Sequence, residues 1–337
     1  MANVIGRRLR WLGMGLMAGL VLLASCASAA NTAIPAPTAS AATATPGRFT
    51  SPASAELSRQ VDAIMESFIE STTPGGAVIV VRDGQILHKA AYGLADLEQA
   101  TPLTPKSVFH LASVGKQFTA MGILLLAEEG KLKVDDPIGT YLPQLARFGN
   151  ELTIRHLLNH TSGLPEVYED DSLFEALLEQ SETPTNRDVL TVLSTLGELQ
   201  SAPGAEFSYS NIGYEVLGSL IEAISGQPLR DFMQQRIFGP LKMDHTFSLP
   251  DPRRRSSPEI AHSYTTDGGE ATAYDSDPLD NAVGSGSVYS TVEDLALYEQ
   301  ALTNNTLVRE SSMNEALTPP TLADGTPSDY GFGWTVG

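Results

Sequence analysis

Two short β-type runs, Ala77-Val-Ile-Val-Val81 and Gln85-Ile-Leu-His-Lys-Ala90, are joined through Asp83-Gly84. That dipeptide suits a two-residue primed turn, so the runs predict a β-hairpin. An isolated hairpin is marginal in water, so this one needs a layer packed on it. Upstream, Leu57, Val61, Ile64, Met65 and Phe68 recur at helical spacing and predict an amphipathic helix. Downstream the apolar period stays helical: Phe118, Met121 and Ile123–Leu126 up to a stop at Gly130, then 153–159, 187–196 and 212–225. The order helix, hairpin, helical region predicts a mixed α/β (α+β) fold, with an antiparallel sheet flanked by helices and a mainly helical subdomain.

Composition agrees with a packed domain. The 337 residues are 42% hydrophobic and 18% charged, with 29 Gly and 21 Pro, which is globular rather than fibrous or disordered. Lysine plus arginine total 21 against 40 acidic residues, a net charge of −19. That balance argues against a phosphate-backbone partner, and no nucleic acid is expected. With one cysteine, Cys26, the chain has no disulfide and stability must come from packing.

The N-terminus reads as a targeting segment. Arg7, Arg8 and Arg10 form a basic region, and Trp11–Leu23 is an apolar run too short to span a bilayer comfortably. Ala27-Ser-Ala29 suits ordinary signal cleavage, whereas Leu23-Ala-Ser-Cys26 resembles a bacterial lipobox. The lone cysteine sits at the lipobox position, which favours the second. The expected layout is a lipoprotein signal peptide over 1–25, lipidation at Cys26, a flexible Ala/Thr/Ser/Pro tether over 26–53 and a folded domain over 54–337. The expected location is exported, with the domain held outside the membrane by its lipid anchor.

Ser113-Val-Gly-Lys116 stands at the entry to the most apolar helical run. On an α-helix residues three apart are neighbours, about 5–6 Å between Cβ atoms, so the Lys116 amine can reach the Ser113 hydroxyl. A serine is inert at neutral pH without a proton acceptor, and burial lowers a lysine's pKa toward the neutral amine a base requires. Chance alone supplies one such spacing in a chain of this size. Here, however, Lys116 is the only one of six lysines with a serine three residues earlier. Tyr209-Ser-Asn211, the only Tyr-x-Asn in the chain, follows Pro203-Gly204 and precedes a helical run. In an extended segment its two side chains share one side. Taken alone, such a triplet is more often a loop than a site.

Ser-x-x-Lys followed by Tyr-x-Asn resembles the serine hydrolases related to class C β-lactamases, D-alanyl-D-alanine carboxypeptidases and their esterase cousins. The resemblance extends over four blocks in order: Ser113-Val-Gly-Lys-Gln-Phe-Thr-Ala, Gly130-Lys-Leu-Lys-Val-Asp-Asp136, Ile154-Arg-His-Leu-Leu-Asn-His-Thr-Ser-Gly-Leu-Pro165 and Tyr289-Ser-Thr-Val-Glu-Asp-Leu295. The resemblance implies a β-lactamase/DD-peptidase-like fold and acyl transfer through a covalent ester on Ser113. Lys116 would be its base, Tyr209 the proton shuttle and Asn211 a contact to the substrate's amide or carbonyl. The family's third motif, Lys or His, a small residue, then Gly, is absent: no lysine or histidine here has a glycine two positions on. The expectation is therefore a C-terminally truncated chain, lacking the last strands of the sheet and part of its active site. On that reading Tyr330-Gly-Phe-Gly-Trp-Thr-Val-Gly337 is the strand leading toward the missing motif.

Other residues read as structure. His160-Thr-Ser-Gly163 fits a helix end with Gly163 as left-handed cap, and it is assigned no catalysis. Arg253-Arg-Arg255 reads as a solvated loop. Gly284-Ser-Gly-Ser287 reads as a loop near the cleft, before a helix capped by Ser290 and Glu293. The histidines show no metal-ligand spacing, so no metal and no cofactor are expected. Two functions stay open: a hydrolase of small esters, D-Ala-D-Ala peptides or β-lactams, with a lean to esterase from Gly115, or a non-catalytic lipid-anchored envelope binding protein of the same fold.

Overall fold

A computed structural model describes residues 52–251, 257, 259–267, 269–275 and 277–336. The hairpin forms as its turn predicts. β1 (Gly76–Arg82) and β2 (Gln85–Tyr92) pair antiparallel, with Asp83 and Gly84 at φ 51° and 71°. Both values lie in the left-handed region that a type I′ turn demands. Helix α1 (Pro52–Glu66) packs on β2, and its Leu57, Val61 and Met65 are half-buried. Ile64 and Phe68, counted from the sequence into the same apolar stripe, point outward instead. Phe68 lies beyond the helix end and is 80% exposed.

After two short strands, β3 (Leu94–Asp96) and β4 (Thr101–Pro102), the chain enters β5 (Phe109–His110). A 3₁₀ turn, Ala112–Gly115, leads straight into α2 (Lys116–Glu128). Residues 118–126 of α2 are buried on every side, as a run apolar but for Thr119 favours, and the Thr119 hydroxyl donates to the Gly284 carbonyl at 2.7 Å. The helical part continues with α3 (Ile154–Leu158), α4 (Asp171–Gln180), α5 (Asn186–Thr195), α6 (Asn211–Ser225), α7 (Leu229–Met233) and α8 (Gly239–Leu241). Helix α6 is its axis, touching α2, α3, α5 and α7.

The chain then returns through β6 (Phe247–Ser248), the hairpin β7 (Tyr264–Asp267) and β8 (Glu270–Ala273), and β9 (Val288–Ser290). β9 pairs antiparallel with both β5 and β6, which carries the loop before β9 past the start of α2. The fold is mixed α/β, as expected. Helices α9 (Val292–Thr303) and α10 (Glu310–Ala316) follow. The cap of α9 is not Ser290 with Glu293. Thr291 is the N-cap and accepts from the Asp294 N–H at 3.1 Å. Ser290 is instead buried in β9 against the Thr246 hydroxyl at 2.7 Å.

Residues 330–336 do not form the strand expected of them. They turn back on themselves, bridged only between Tyr330 and Thr335. Phe332 is fully buried, and its N–H donates to the Ala316 carbonyl at 2.8 Å. Two glycines among three aromatics favour a packed turn over an extended run. Among the described residues no helix is long and apolar enough to cross a membrane.

Candidate active site

Ser113 and Lys116 meet at the junction of the 3₁₀ turn and α2. The expected α-helical turn between them is replaced by a 3₁₀ turn, with Lys116 the first residue of α2. In 3₁₀ geometry residues three apart eclipse one another. The Lys116 Nζ donates to Ser113 Oγ at 3.3 Å. Ala112, just before the serine, holds φ at 47°, a left-handed conformation unusual for a residue with a Cβ. It presents Ser113 outward while Lys116 turns inward.

Lys116 is wholly buried. Its amine also donates to Asn211 Oδ1 at 2.7 Å and to the Ser285 carbonyl at 2.8 Å. Burial pushes its pKa down to about 7, against the opposing pull of the Glu166 and Glu215 carboxyls. A lysine that shares protons at neutral pH can act as a base.

Each partner comes from a different element. Asn211 is the first residue of α6, behind the N-cap Ser210, whose side chain accepts from the Gly213 N–H. Ser285 lies in the loop before β9. There Gly284, at φ 126°, packs so closely on α6 that a Cβ would stand 2.3 Å from the Tyr214 carbonyl. Only glycine fits at that approach.

Tyr209 sits across from the amine, its ring centroid 4.7 Å from Lys116 Nζ. Burial raises the phenol's pKa, and a hydrogen bond with Ser113 partly offsets it. Behind Tyr209 lies His160, with ring centroids 4.3 Å apart, flanked by Tyr214 and Tyr330. The left-handed position after α3 is held by His160 at φ 58°, not by the expected Gly163, which is left-handed at φ 71° further along the loop. The His160 Nδ1 accepts from the Ser210 N–H at 3.1 Å. Burial, aided by the charge of Lys116, drives its pKa down to about 3. His160 is therefore a neutral plate against Tyr209.

Two buried carboxyls flank the amine. Glu166 accepts from Asn211 twice, from its backbone N–H at 2.5 Å and from Nδ2 at 3.0 Å. Burial raises its pKa while those two bonds oppose the rise. Glu215, inside α6, is pushed up to about 8 by burial and then by Glu166, with the Ser285 hydroxyl and Lys116 opposing. Its Oε1 contacts Ser285 Oγ at 3.2 Å, and its Oε2 is buried without a hydrogen-bond partner.

A family model described as Beta-lactamase matches residues 57–337. This chain belongs to the beta-lactamase family. It is 34% identical over 292 residues to penicillin-binding protein 4* of Bacillus subtilis (strain 168), covering 82% of this chain and 63% of that protein. It is 30% identical over 280 residues to a D-aminopeptidase of Cereibacter sphaeroides, covering 82% of this chain and 52% of the relative. The chain thus spans between half and two thirds of the length of these relatives. Two solved structures show the same fold. One is EstCE1, a hydrolase with promiscuous acyltransferase activity (TM-score 0.70, 23% identity, 84% of this chain and 83% of that one). The other is the octameric penicillin-binding protein homologue from Pyrococcus abyssi (TM-score 0.68, 24% identity, 83% and 64%).

In this beta-lactamase-family chain the four residues singled out by sequence, Ser113, Lys116, Tyr209 and Asn211, stand together. Cys26 and Arg253-Arg-Arg255 lie outside the described residues. Sequence reasoning missed three groups around Lys116. Ser285 contributes a backbone carbonyl, which leaves no residue-type signal. Glu166 follows Gly163-Leu-Pro165 in what reads as a polar loop. Glu215 had a signal: it is the lone acid among the apolar residues at the start of α6. Among the described residues no group of acidic, His or Cys side chains could hold a metal ion.

Proposed function

We propose that this chain is a serine hydrolase that works through an acyl-enzyme on Ser113. One observation carries the reading: a fully buried Lys116 amine, with its pKa lowered to about 7, within 3.3 Å of the Ser113 hydroxyl. The neutral amine takes the Oγ proton as Oγ attacks the carbonyl carbon. Tyr209, hydrogen-bonded to Ser113 and with its ring beside the Lys116 amine, relays that proton to the leaving group as the scissile bond breaks. Water then attacks the ester, giving one proton back to Ser113 and releasing the acid. The Ser113 backbone N–H, in the first turn of a helical segment, has no acceptor within that turn and can stabilise the oxyanion.

The family resemblance favours small esters, D-Ala-D-Ala peptides or β-lactams as substrates, and Gly115 between Ser113 and Lys116 leans toward esters. Tyr168, whose N–H donates to Glu166, and Phe207, edge-on to His160, are exposed and offer apolar surface for an acyl group. The test is to treat the protein with a fluorophosphonate and find the modified peptide by mass spectrometry. Labelling of Ser113, lost in Ser113→Ala, is the expected result. A folded protein left unlabelled would overturn the reading and favour a non-catalytic binding protein. Turnover of an ester, a D-Ala-D-Ala peptide and a cephalosporin then ranks the substrates.

We also propose that Cys26 carries a lipid anchor that places the domain in the bacterial envelope, on the strength of Leu23-Ala-Ser-Cys26 and the absence of any other cysteine. Metabolic labelling with palmitate checks it. Incorporation that survives Cys26→Ser refutes it.

A further inference from the structure

We propose that Glu166 is a positioning residue for proton transfer: its carboxylate locks the Asn211 amide so that Oδ1 faces Lys116, which aims the lone pair of the neutral amine at Ser113. The inference rests on the acyl-transfer reading above and names a residue outside the family motifs found in the sequence.

The geometry begins at the start of α6. Glu166 is 8% exposed and holds one residue by two donors, the Asn211 backbone N–H at 2.5 Å and the side-chain Nδ2 at 3.0 Å. A carboxylate is also favoured at a helix N-terminus, where the N–H groups lack intrahelical acceptors. Carboxylate oxygens only accept and an ammonium only donates. An amide bridging the two has one allowed orientation, with Nδ2 to Glu166 and Oδ1 to Lys116. Asn211 Oδ1 lies at 2.7 Å from Nζ.

The count of hydrogens at Nζ supplies the consequence. Protonated, the amine has three N–H bonds for its three partners, Asn211 Oδ1, the Ser285 carbonyl and Ser113 Oγ. Neutral, it keeps two N–H bonds and one lone pair. Asn211 Oδ1 and the Ser285 carbonyl can only accept, so they take the two hydrogens. The lone pair is left for Ser113, the one partner that can donate. If the Asn211 amide were reversed, Nδ2 would face Nζ as a donor and compete for that lone pair. Glu166 prevents the reversal.

Glu166 also sets when the amine is neutral. The groups facing Lys116 are the Glu166 and Glu215 carboxyls, which hold its proton, the neutral His160, and the Tyr209 and Tyr214 rings, 4.7 and 5.5 Å from Nζ. Removing the charge of Glu166 frees the amine of its proton at lower pH, yet leaves the lone pair without a fixed direction.

The test compares wild type, Glu166→Gln and Glu166→Asp. Glu166→Gln keeps the volume but offers both donors and acceptors. Its Ser113 acylation rate is expected to fall about 100-fold, the scale of a misplaced catalytic group, while the acid limb of the pH–rate profile moves to lower pH. Glu166→Asp keeps the charge but is too short to hold both Asn211 donors. It is expected to leave the limb in place and still acylate slowly. Acylation within threefold of wild type in Glu166→Gln, or at the full rate in Glu166→Asp, overturns the proposal. An independent readout needs no turnover: hydrogen exchange of the Asn211 side-chain amide by NMR, slow in wild type and faster in both variants. Unchanged exchange in both overturns the clamp. An unlabelled wild type with the expected exchange pattern refutes the acyl-transfer reading alone.

Discussion

The β1–β2 hairpin and the α2–α6 helical core differ in how completely they are enclosed. No residue of β1 is fully buried, whereas 118–126 of α2 are buried without a break. All the side chains gathered around Lys116 belong to the enclosed half or to loops pressed on it. A buried amine with a lowered pKa needs surroundings that exclude water, and only the enclosed half supplies them. Changes in the helical half should therefore register in both stability and acylation, and changes in the hairpin in neither strongly.

The sharpest break of that contrast is Gly284→Ala. Its Cβ would stand 2.3 Å from the Tyr214 carbonyl, and the expected loss is about 4 kcal/mol or more by chemical denaturation, the range of exceptional single changes. Next is Phe118→Ala, which empties a site 0% exposed against Phe238 and Tyr298. It should lose about 3–5 kcal/mol. Val80→Ala in the hairpin should lose only about 1 kcal/mol, the typical effect of a point change. A loss equal to that of Phe118→Ala would erase the distinction.

Lys116→Met separates function from stability inside the enclosed half. Acylation should vanish, while stability at pH 6 is retained or increased, because a buried cation is removed. The sign is fixed by linkage. The folded pKa, about 7, lies below the ordinary 10.5. Between those values the unfolded chain binds more protons, so the Lys116 contribution makes stability rise with pH over that window. In Lys116→Met that rise disappears.

Glu215→Gln should have the smallest effect at low pH and the opposite slope. Its folded pKa, about 8, lies above the ordinary 4.5. The contribution of the raised carboxyl is whole below pH 4.5 and is lost as pH climbs to 8. Wild type and variant should match near pH 4, and the variant should be the more stable near pH 9. Melting temperatures across that range measure it.

Much of this was legible in the chain because period and turn chemistry act locally. Asp83-Gly84 fixes its turn through two residues, and the run 118–126 declares its burial through composition. Ser113 and Lys116 are neighbours by spacing alone, whatever surrounds them. What escaped depends on contacts between segments far apart in sequence. Glu166 reaches Asn211 across 45 positions and Ser285 reaches Lys116 across 169. Neither partner differs locally from an ordinary loop residue. The cap of α9 was misplaced by one residue because Ser290, a good cap by type, was claimed by the Thr246 side chain within the sheet. The alternating aromatics of 330–334 suit a strand, but each is held by a different neighbour: Tyr330 lies against His160 and Tyr209, and the Phe332 N–H donates to the Ala316 carbonyl at the end of α10.

The left-handed Gly284 has a consequence for how such a protein can diversify. The carbonyl that steers the Lys116 amine follows directly on Gly284, where even one methyl group would meet the Tyr214 carbonyl, so the floor of the site is inelastic at that point. Evolutionary tinkering there would misdirect the amine before it altered what fits above it. The exposed aromatics have the latitude the floor lacks: Tyr168, Phe207 and Tyr274 are each more than a third exposed, the two tyrosines held through Asp277 and Phe207 edge-on to His160. New appetites for new acyl groups should be written at that aromatic edge, over machinery that stays the same.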